Sequence, residues 1–462
     1  MRIDILRWLK NLRHLPATVN AADDFPQAQP RRELGPGSLV ALTFFCVAGG
    51  AFGLEDGVGA GGPMVLLLAL LLLPWVWSYP TALMTAELSS AMPENGGYVA
   101  WVEKAFGRFW GFQEGWLSLL CGIVDNALYP VMFVDYLAYL GGDLSPAERW
   151  LIGAAVTGAI AYLNVRGSRP VGWTSIALTV AVLAPFAAMV VLGVPRLDPG
   201  LWLARPAGLD WALLLSVVLW NTSGWDNAGC CAGEVADPGR NYPRAMAAAV
   251  LLVTLAYVLP IAVGAGVDGR LDEWREGHFP NVAARIGGSW LGVWLTLAGL
   301  ASAAGLLSAL LCTSSRVCYA MALRGMLPSR LASLHPRYGT PHAAIVGNAL
   351  AVACLVPFSF QELIQVDMFL YALALVLEFA AFVRLRRIRP DMPRPYRVPV
   401  GLAGAVAFSA PPVLLCLASI ALAGALTQLA GLAAIASGAV VYAVAERGRL
   451  GTAADARGSI AG

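Results

Sequence analysis

Charged side chains are scarce in this chain: Asp, Glu, Lys and Arg together supply 13% of its 462 residues. A soluble domain carries about 25%, so the shortage excludes an ordinary water-soluble enzyme or binding module. Lysine is nearly missing, with Lys10 and Lys104 the only two among 31 basic residues. That bias, with abundant alanine and glycine, points to a GC-rich bacterial genome. The net charge is only +2, and no nucleic-acid partner is expected. No outer-loop cysteine and no CxxC pair occurs: Cys46, Cys121, Cys230, Cys231, Cys312, Cys318, Cys354 and Cys416 all fall in apolar stretches. A disulfide framework, a cysteine metal site and a disulfide-tethered protein partner are thereby excluded, and the cysteines read as small packing residues. His14, His278, His335 and His342 are scattered, and there is no HExxH, P-loop or zinc spacing. No metal and no cofactor is expected. The run Gly57-Val58-Gly59-Ala60-Gly61-Gly62 matches a dinucleotide pattern only formally, because it lies between two apolar segments rather than in a βαβ unit. No cleavable leader is expected either, since Arg7, Lys10 and Arg13 interrupt any apolar stretch at the start.

What is present is hydrophobicity. Mean hydropathy is +0.66, and apolar runs of about 20 residues, each able to cross a bilayer as a helix, recur almost to the end. They lie at 37–60, 63–91, 109–141, 148–165, 171–194, 210–235, 244–266, 289–322, 342–358, 362–384, 400–422 and 424–445. The expected architecture is an all-α polytopic membrane protein of about twelve spans. Residues 1–35 form a cytoplasmic segment, 36–446 the membrane domain and 447–462 a polar cytoplasmic tail. In the first segment Ile5, Trp8, Leu9 and Leu12 recur at helical spacing between basic residues, as in a short helix on the inner leaflet. With the N-terminus placed inside, only Arg149, Arg196, Arg205, Arg270, Arg275 and Arg285 fall on the outer side, and nearly all other basic residues fall inside. This positive-inside bias predicts both termini in the cytoplasm of a cell (inner) membrane.

Two spans are interrupted at their centres. The first reads Ala48-Gly49-Gly50-Ala51-Phe52-Gly53-Leu54-Glu55-Asp56, and the sixth reads Trp220-Asn221-Thr222-Ser223-Gly224-Trp225-Asp226-Asn227. Backbone that leaves the helix inside a bilayer must line a cavity or a ligand, because lipid offers no hydrogen bonds. The breaks open two sets of five spans. An odd number of spans per set inverts the second set relative to the first and predicts a transport site near the midplane.

Acidic residues are over-supplied within or near the spans: Glu55, Asp56, Glu87, Glu114, Asp125, Asp135, Asp226, Glu234, Asp367 and Glu378, against Arg316 as the main basic residue well inside one. Each charge at mid-membrane costs about 2.5–3.5 kcal/mol on insertion scales. A cationic substrate, protons, or both would neutralise them. Asp125 and Tyr129 are four apart on one helical face, as are Asp367 and Tyr371. Trp220 and Trp225 flank the second break and offer aromatic faces to an ammonium group. The amides of Gly49, Gly50 and Ala51 would instead suit a carboxylate. The residues alone leave an organic amine and an amino acid both open.

These stretches resemble the amino acid–polyamine–organocation superfamily, and most closely its polyamine-uptake branch. The resemblance rests on Gly49-Gly50-Ala51-Phe52-Gly53-Leu54-Glu55-Asp56, Thr85-Ala86-Glu87-Leu88, Pro93-Glu94-Asn95-Gly96-Gly97-Tyr98 and Trp110-Gly111-Phe112-Gln113-Glu114-Gly115-Trp116. It continues through Asp125-Asn126-Ala127-Leu128-Tyr129-Pro130, Trp225-Asp226, Ala232-Gly233-Glu234-Val235, Leu370-Tyr371 and Leu377-Glu378-Phe379. It implies the leucine-transporter fold with 5+5 inverted repeats, broken helices 1 and 6, alternating access and coupling to H+. It implies a permease for polyamines or cationic amino acids rather than an enzyme, with a neutral amino-acid permease or exchanger as the rival reading. The expected substrate contacts are Gly49, Gly50, Ala51, Glu55, Asp125, Tyr129, Trp220, Trp225, Asp226, Asp367 and Tyr371, with Glu87 as the proton-coupling candidate. The expected partners are a small amine or amino acid, H+ and the lipid bilayer, with no obligate protein partner.

Overall fold

A computed structural model describes residues 36–92, 97–167, 173–227, 235 and 237–458. The expected inner-leaflet helix in 1–35, the loop residues 93–96, the span-six exit at 232–234 and the last four residues lie outside the described residues. Among the described residues the chain is built of helices, and eight of them are long and apolar enough to cross a membrane unaided. They account for spans two, three, five, seven, eight, ten, eleven and twelve. Four further spans fall short of that standard for separate physical reasons. Spans one and six are broken. Span four, Pro146–Arg166, carries polar residues along its length, and span nine, His342–Leu355, is only 14 residues long. The twelfth helix, Ala425–Gly458, runs past the boundary at 447 where a tail was expected.

Local chemistry fixes the ends. Spans four and ten both start in capping boxes, in which Ser145 pairs reciprocally with Glu148 and Ser359 with Glu362. Each box satisfies two of the amide groups that a helix start leaves open. Gly62, at φ 81°, turns the chain between spans one and two, a conformation that favours glycine. Span two contains a five-residue π-helical turn at Pro74–Ser78. Proline at its start cannot donate to the preceding turn, and the wider turn swings Trp77 inwards, where it is fully buried. Large apolar side chains on spans two and twelve, among them Leu72, Trp75, Leu426 and Leu429, face outwards. In water such a surface would aggregate, whereas here it meets lipid tails.

Spans one, three, six, eight and ten form the centre, and span three packs most extensively against eight and ten. Span one is helical over Pro36–Val47 and again over Glu55–Gly61, and span six is helical over Trp211–Asn221 and then opens. The two openings touch: Asn221 Nδ2 donates to the Gly53 carbonyl at 3.1 Å. Gly49 lies so close to span eight that a Cβ there would collide with Leu306 and Ser302, and Ser302 Oγ donates to its carbonyl. The multi-pass fold therefore places both breaks face to face in the middle of the bundle.

Candidate functional site

The unwound backbone is held mostly by side chains. Trp77 Nε1 and Trp225 Nε1 both donate to the Thr222 carbonyl, at 3.0 and 2.7 Å, and the Tyr257 hydroxyl donates to the Asn221 carbonyl at 2.8 Å. The Gly53 amide donates to Glu55 Oε2 at 2.9 Å, and the Gly224 amide donates to the Tyr371 hydroxyl at 3.3 Å. These contacts supply what lipid cannot. Among the described residues, the amides of Gly49, Gly50 and Ala51 are not used in this way.

Around the breaks the structure gathers most of the expected residues. Asp125 Oδ1 accepts from the Tyr129 hydroxyl at 3.2 Å and from Trp220 Nε1 at 3.0 Å, with the two rings 6.2 Å apart. Asp226 Oδ1 accepts from the Tyr371 hydroxyl at 2.6 Å, so Tyr371 belongs to the second break itself rather than to an outer layer. Asp367 Oδ1 accepts from Cys121 Sγ at 3.1 Å. That contact gives Cys121 a polar task beyond packing. Trp220 also meets Phe360 edge-on at 5.6 Å, capping the site at the end where span ten begins.

Other expected residues take structural posts. Trp225 is fully buried and its indole N–H is spent on Thr222. Glu55 is fully buried, bonded to the Tyr136 hydroxyl and the Gly53 amide. Glu87 is locked against the end of span ten and the segment after it. It pairs with Arg386 through both carboxylate oxygens, lies 3.2 Å from Arg394 Nε and accepts the Val398 amide at 2.8 Å. Its acceptor capacity is therefore taken up by a tie between span two, span ten and the segment that follows span ten. Arg316 sits on an exposed face of span eight, away from this tie.

Two carboxylates outside the expected set join the site from below. Glu114 is fully buried and accepts from Ser118 Oγ at 3.0 Å, while Glu378 is 1% exposed; each keeps one shielded oxygen without a partner. Both act electrostatically on, or feel, Asp226. The signal was present in the spacing. Glu114, Ser118, Cys121, Asp125 and Tyr129 follow one another at helical intervals along span three, as do Phe360, Asp367, Tyr371 and Glu378 along span ten. Asp125 to Glu114 and Asp367 to Glu378 are both eleven residues, or about 16 Å of helix rise. Spans three and ten run in opposite directions, so the site is a ladder of carboxylates descending from Asp125 and Asp367 through Asp226 to Glu114 and Glu378. Among the described residues, none of these five is ion-paired; the arginines that form ion pairs do so elsewhere.

One outer group could in principle hold a metal: ligand atoms of Asp268, Glu273 and His278 lie within 4.8 Å of one another. Arg285 and Arg270 already reach Asp268 at 2.6 and 3.3 Å, and both also pair with Glu273. Burial raises the Asp268 carboxyl, but hydrogen bonds from His278 and Arg270 win and hold it below its ordinary range. The group has its positive charge from protein side chains, and its donor set reads as a loop clasp rather than a metal centre.

Comparison with known proteins agrees with this geometry. The amino acid permease family model matches residues 34–444. The chain is 42% identical to polyamine transporter PUT1 of Oryza sativa subsp. japonica, over 90% of this chain and 79% of that protein. It is 40% identical to polyamine transporter RMV1 of Arabidopsis thaliana, over 87% and 83%. A more distant relative is the serine/threonine exchanger SteT of Bacillus subtilis, 25% identical over 80% of this chain and 87% of that one. The relatives at 40–42% come from plants, which lends no support to a bacterial source. The chain is thus a multi-pass transport protein and not an enzyme: it belongs to the amino acid permease family of the amino acid–polyamine–organocation superfamily, and groups with its polyamine branch.

Proposed function

We propose that this protein carries polyamines, and cationic amino acids less well, into the cell by alternating access coupled to H+. The observation that supports this most is the ladder of five carboxylates, four of them buried and Asp125 half-buried, with no ion-paired arginine or lysine among the described residues. Buried charge without a partner is strongly unfavourable. A linear polyamine has several ammonium groups along one chain and no carboxylate, so it can neutralise successive rungs at once. Asp125, with Tyr129 and Trp220, would take one amine, Asp226 with Tyr371 a second, and Asp367 would stand beside the first. The aromatic faces of Tyr129 and Trp220 add about 0.5–2 kcal/mol for a cation that has left water. The relatives named as polyamine transporters support the same substrate class.

The unused amides at Gly49, Gly50 and Ala51 would accept the carboxylate of a cationic amino acid. Protons would be carried by rungs not occupied by amine, with Glu114 and Glu378 placed for this because each has an unpartnered oxygen. Glu87, already tied to two arginines, is better suited to holding the inner face shut than to exchanging protons. Substrate and proton must each shift the same inward–outward equilibrium for coupling to arise. In this reading both termini are cytoplasmic and the membrane is the cell membrane.

The test is uptake of labelled spermidine into proteoliposomes containing the full chain. An acidic outside is expected to drive accumulation above the equilibrium level, with the label recovered as unchanged spermidine, and a protonophore should abolish the excess. Uptake that stops at equal concentrations whatever the pH gradient would show a channel or uniporter and defeat the coupled reading.

A further inference from the structure

A second cluster of carboxylates lies outside the aromatic layer, and the central site does not use it. At the end of the bundle that the charge pattern assigns to the outside there is a cavity of about 940 Å³. The outer end of span three, the loop around Glu276 and the start of span ten enclose it. Its lining includes Phe360, the ring that packs on Trp220, so one layer of aromatic side chains separates it from Asp125. Its walls carry more carboxylates than arginines, and Arg149 is already paired with Asp135.

Arg275 also lines the cavity and its charge acts on Asp56 and Asp135, yet the carboxylates still outnumber the two arginines. Asp56 is 3% exposed; its Oδ1 accepts from Gln361 Nε2 at 2.7 Å, while its Oδ2 is shielded and has no partner. Both carboxylate oxygens of Glu276 are likewise shielded and reach no N–H or cationic donor; its carboxyl faces that of Glu55. Glu276 feels the charges of Glu55, Asp56 and Asp135. Burial first, and then those three neighbours, push its carboxyl well above the ordinary range. Without a cation the cluster is relieved by protons. Asp56 and Glu276 thus bring three such oxygens to the wall of one cavity, and a primary ammonium group has three N–H donors and no acceptor. A calcium ion would want six to eight oxygens, more than these two side chains offer.

We propose that Asp56 and Glu276 form a second amine site in the outer vestibule, which holds one terminal ammonium of a polyamine before the Phe360–Trp220 layer opens to the central carboxylates. The inference rests on the polyamine reading of the central site, but its residues are separate. An amine held there raises the local concentration of substrate at the layer, so capture from dilute solution is faster while the maximal rate, set by later steps, is unchanged.

The test is equilibrium binding of labelled spermidine to the full chain in lipid nanodiscs, together with uptake kinetics in proteoliposomes. Wild type is expected to bind two spermidines per chain. Glu276→Gln and, independently, Asp56→Asn are each expected to weaken the outer site at least about tenfold. Both should raise KM with Vmax unchanged and leave the inner site intact. Asp226→Asn should do the reverse, losing the inner site and keeping the outer one. One spermidine per wild-type chain, lost in Asp226→Asn and untouched in both outer variants, would overturn the vestibule site and leave the central reading standing. One lost in the outer variants but retained in Asp226→Asn would sink the central reading instead. Calcium chloride that displaces the outer spermidine and by itself raises the melting temperature of wild type, but not of Glu276→Gln, would assign the cluster to a divalent cation and overturn the amine proposal.

Discussion

Asp226→Asn is expected to reduce spermidine uptake efficiency at least about thirtyfold, and to do so without harming the fold. The substitution keeps the shape of the side chain and leaves an oxygen to accept from the Tyr371 hydroxyl, now 2.6 Å away. Only the charge is lost. Truncating one partner of a desolvated charge pair removes about 2–5 kcal/mol of binding, and 1.4 kcal/mol corresponds to about tenfold. The empty protein should melt at the same temperature or higher, because an uncompensated charge has left a site where Asp226 is only 4% exposed. Uptake kinetics and a melting curve on the same preparation check both halves. Unchanged uptake of every amine would remove Asp226 from the site.

The second large effect concerns stability. Glu87→Gln is expected to destabilise the protein by about 3–5 kcal/mol, the usual result of leaving one member of a buried ion pair alone. Arg386 is 6% exposed and stacks over Phe382 at 4.7 Å, with its remaining donors on the Val398 and Val400 carbonyls. It has no route to water once Glu87 is neutral. Adding Arg386→Met to Glu87→Gln should recover much of the loss, since an apolar side chain of similar volume needs no partner, and the double-mutant cycle gives the coupling directly. Thermal unfolding in one detergent, for wild type and the three variants, measures it. Additive losses would show that the pair does not hold the inner face together.

The architecture was legible because the bilayer writes it in simple terms. Apolar runs of span length are forced by lipid, and the Gly-rich centres of spans one and six could be nothing but breaks. The charge-bearing side chains around those breaks were legible for the same reason. What the pattern did not separate was a side chain turned to the carboxylates from one spent on the unwound backbone. Trp225 and Trp220 look alike in sequence, yet one indole N–H is spent on the Thr222 carbonyl and the other on the Asp125 carboxylate. Glu87 looked like an unpaired intramembrane acid because its partners, Arg386 and Arg394, lie some 300 residues away in sequence. Glu114 counted only as one of many acids within or near the spans, although its regular spacing with Ser118, Cys121 and Asp125 already placed it on the inward face. Glu276 gave no signal at all, since an acid in a charged outer loop is ordinary until the fold buries its oxygens.

The central claim is that buried carboxylates without ion-paired partners are the counter-charges of a polycationic substrate. It is tested most directly by competition for labelled spermidine binding at fixed pH, with putrescine, spermine, lysine, leucine and serine as competitors. The account predicts that affinity rises with the number of ammonium groups, from putrescine through spermidine to spermine, that lysine competes more weakly and that leucine and serine do not compete. Displacement by leucine or serine as strongly as by spermine would contradict it, and would transfer the substrate from the carboxylates to the amides of Gly49, Gly50 and Ala51.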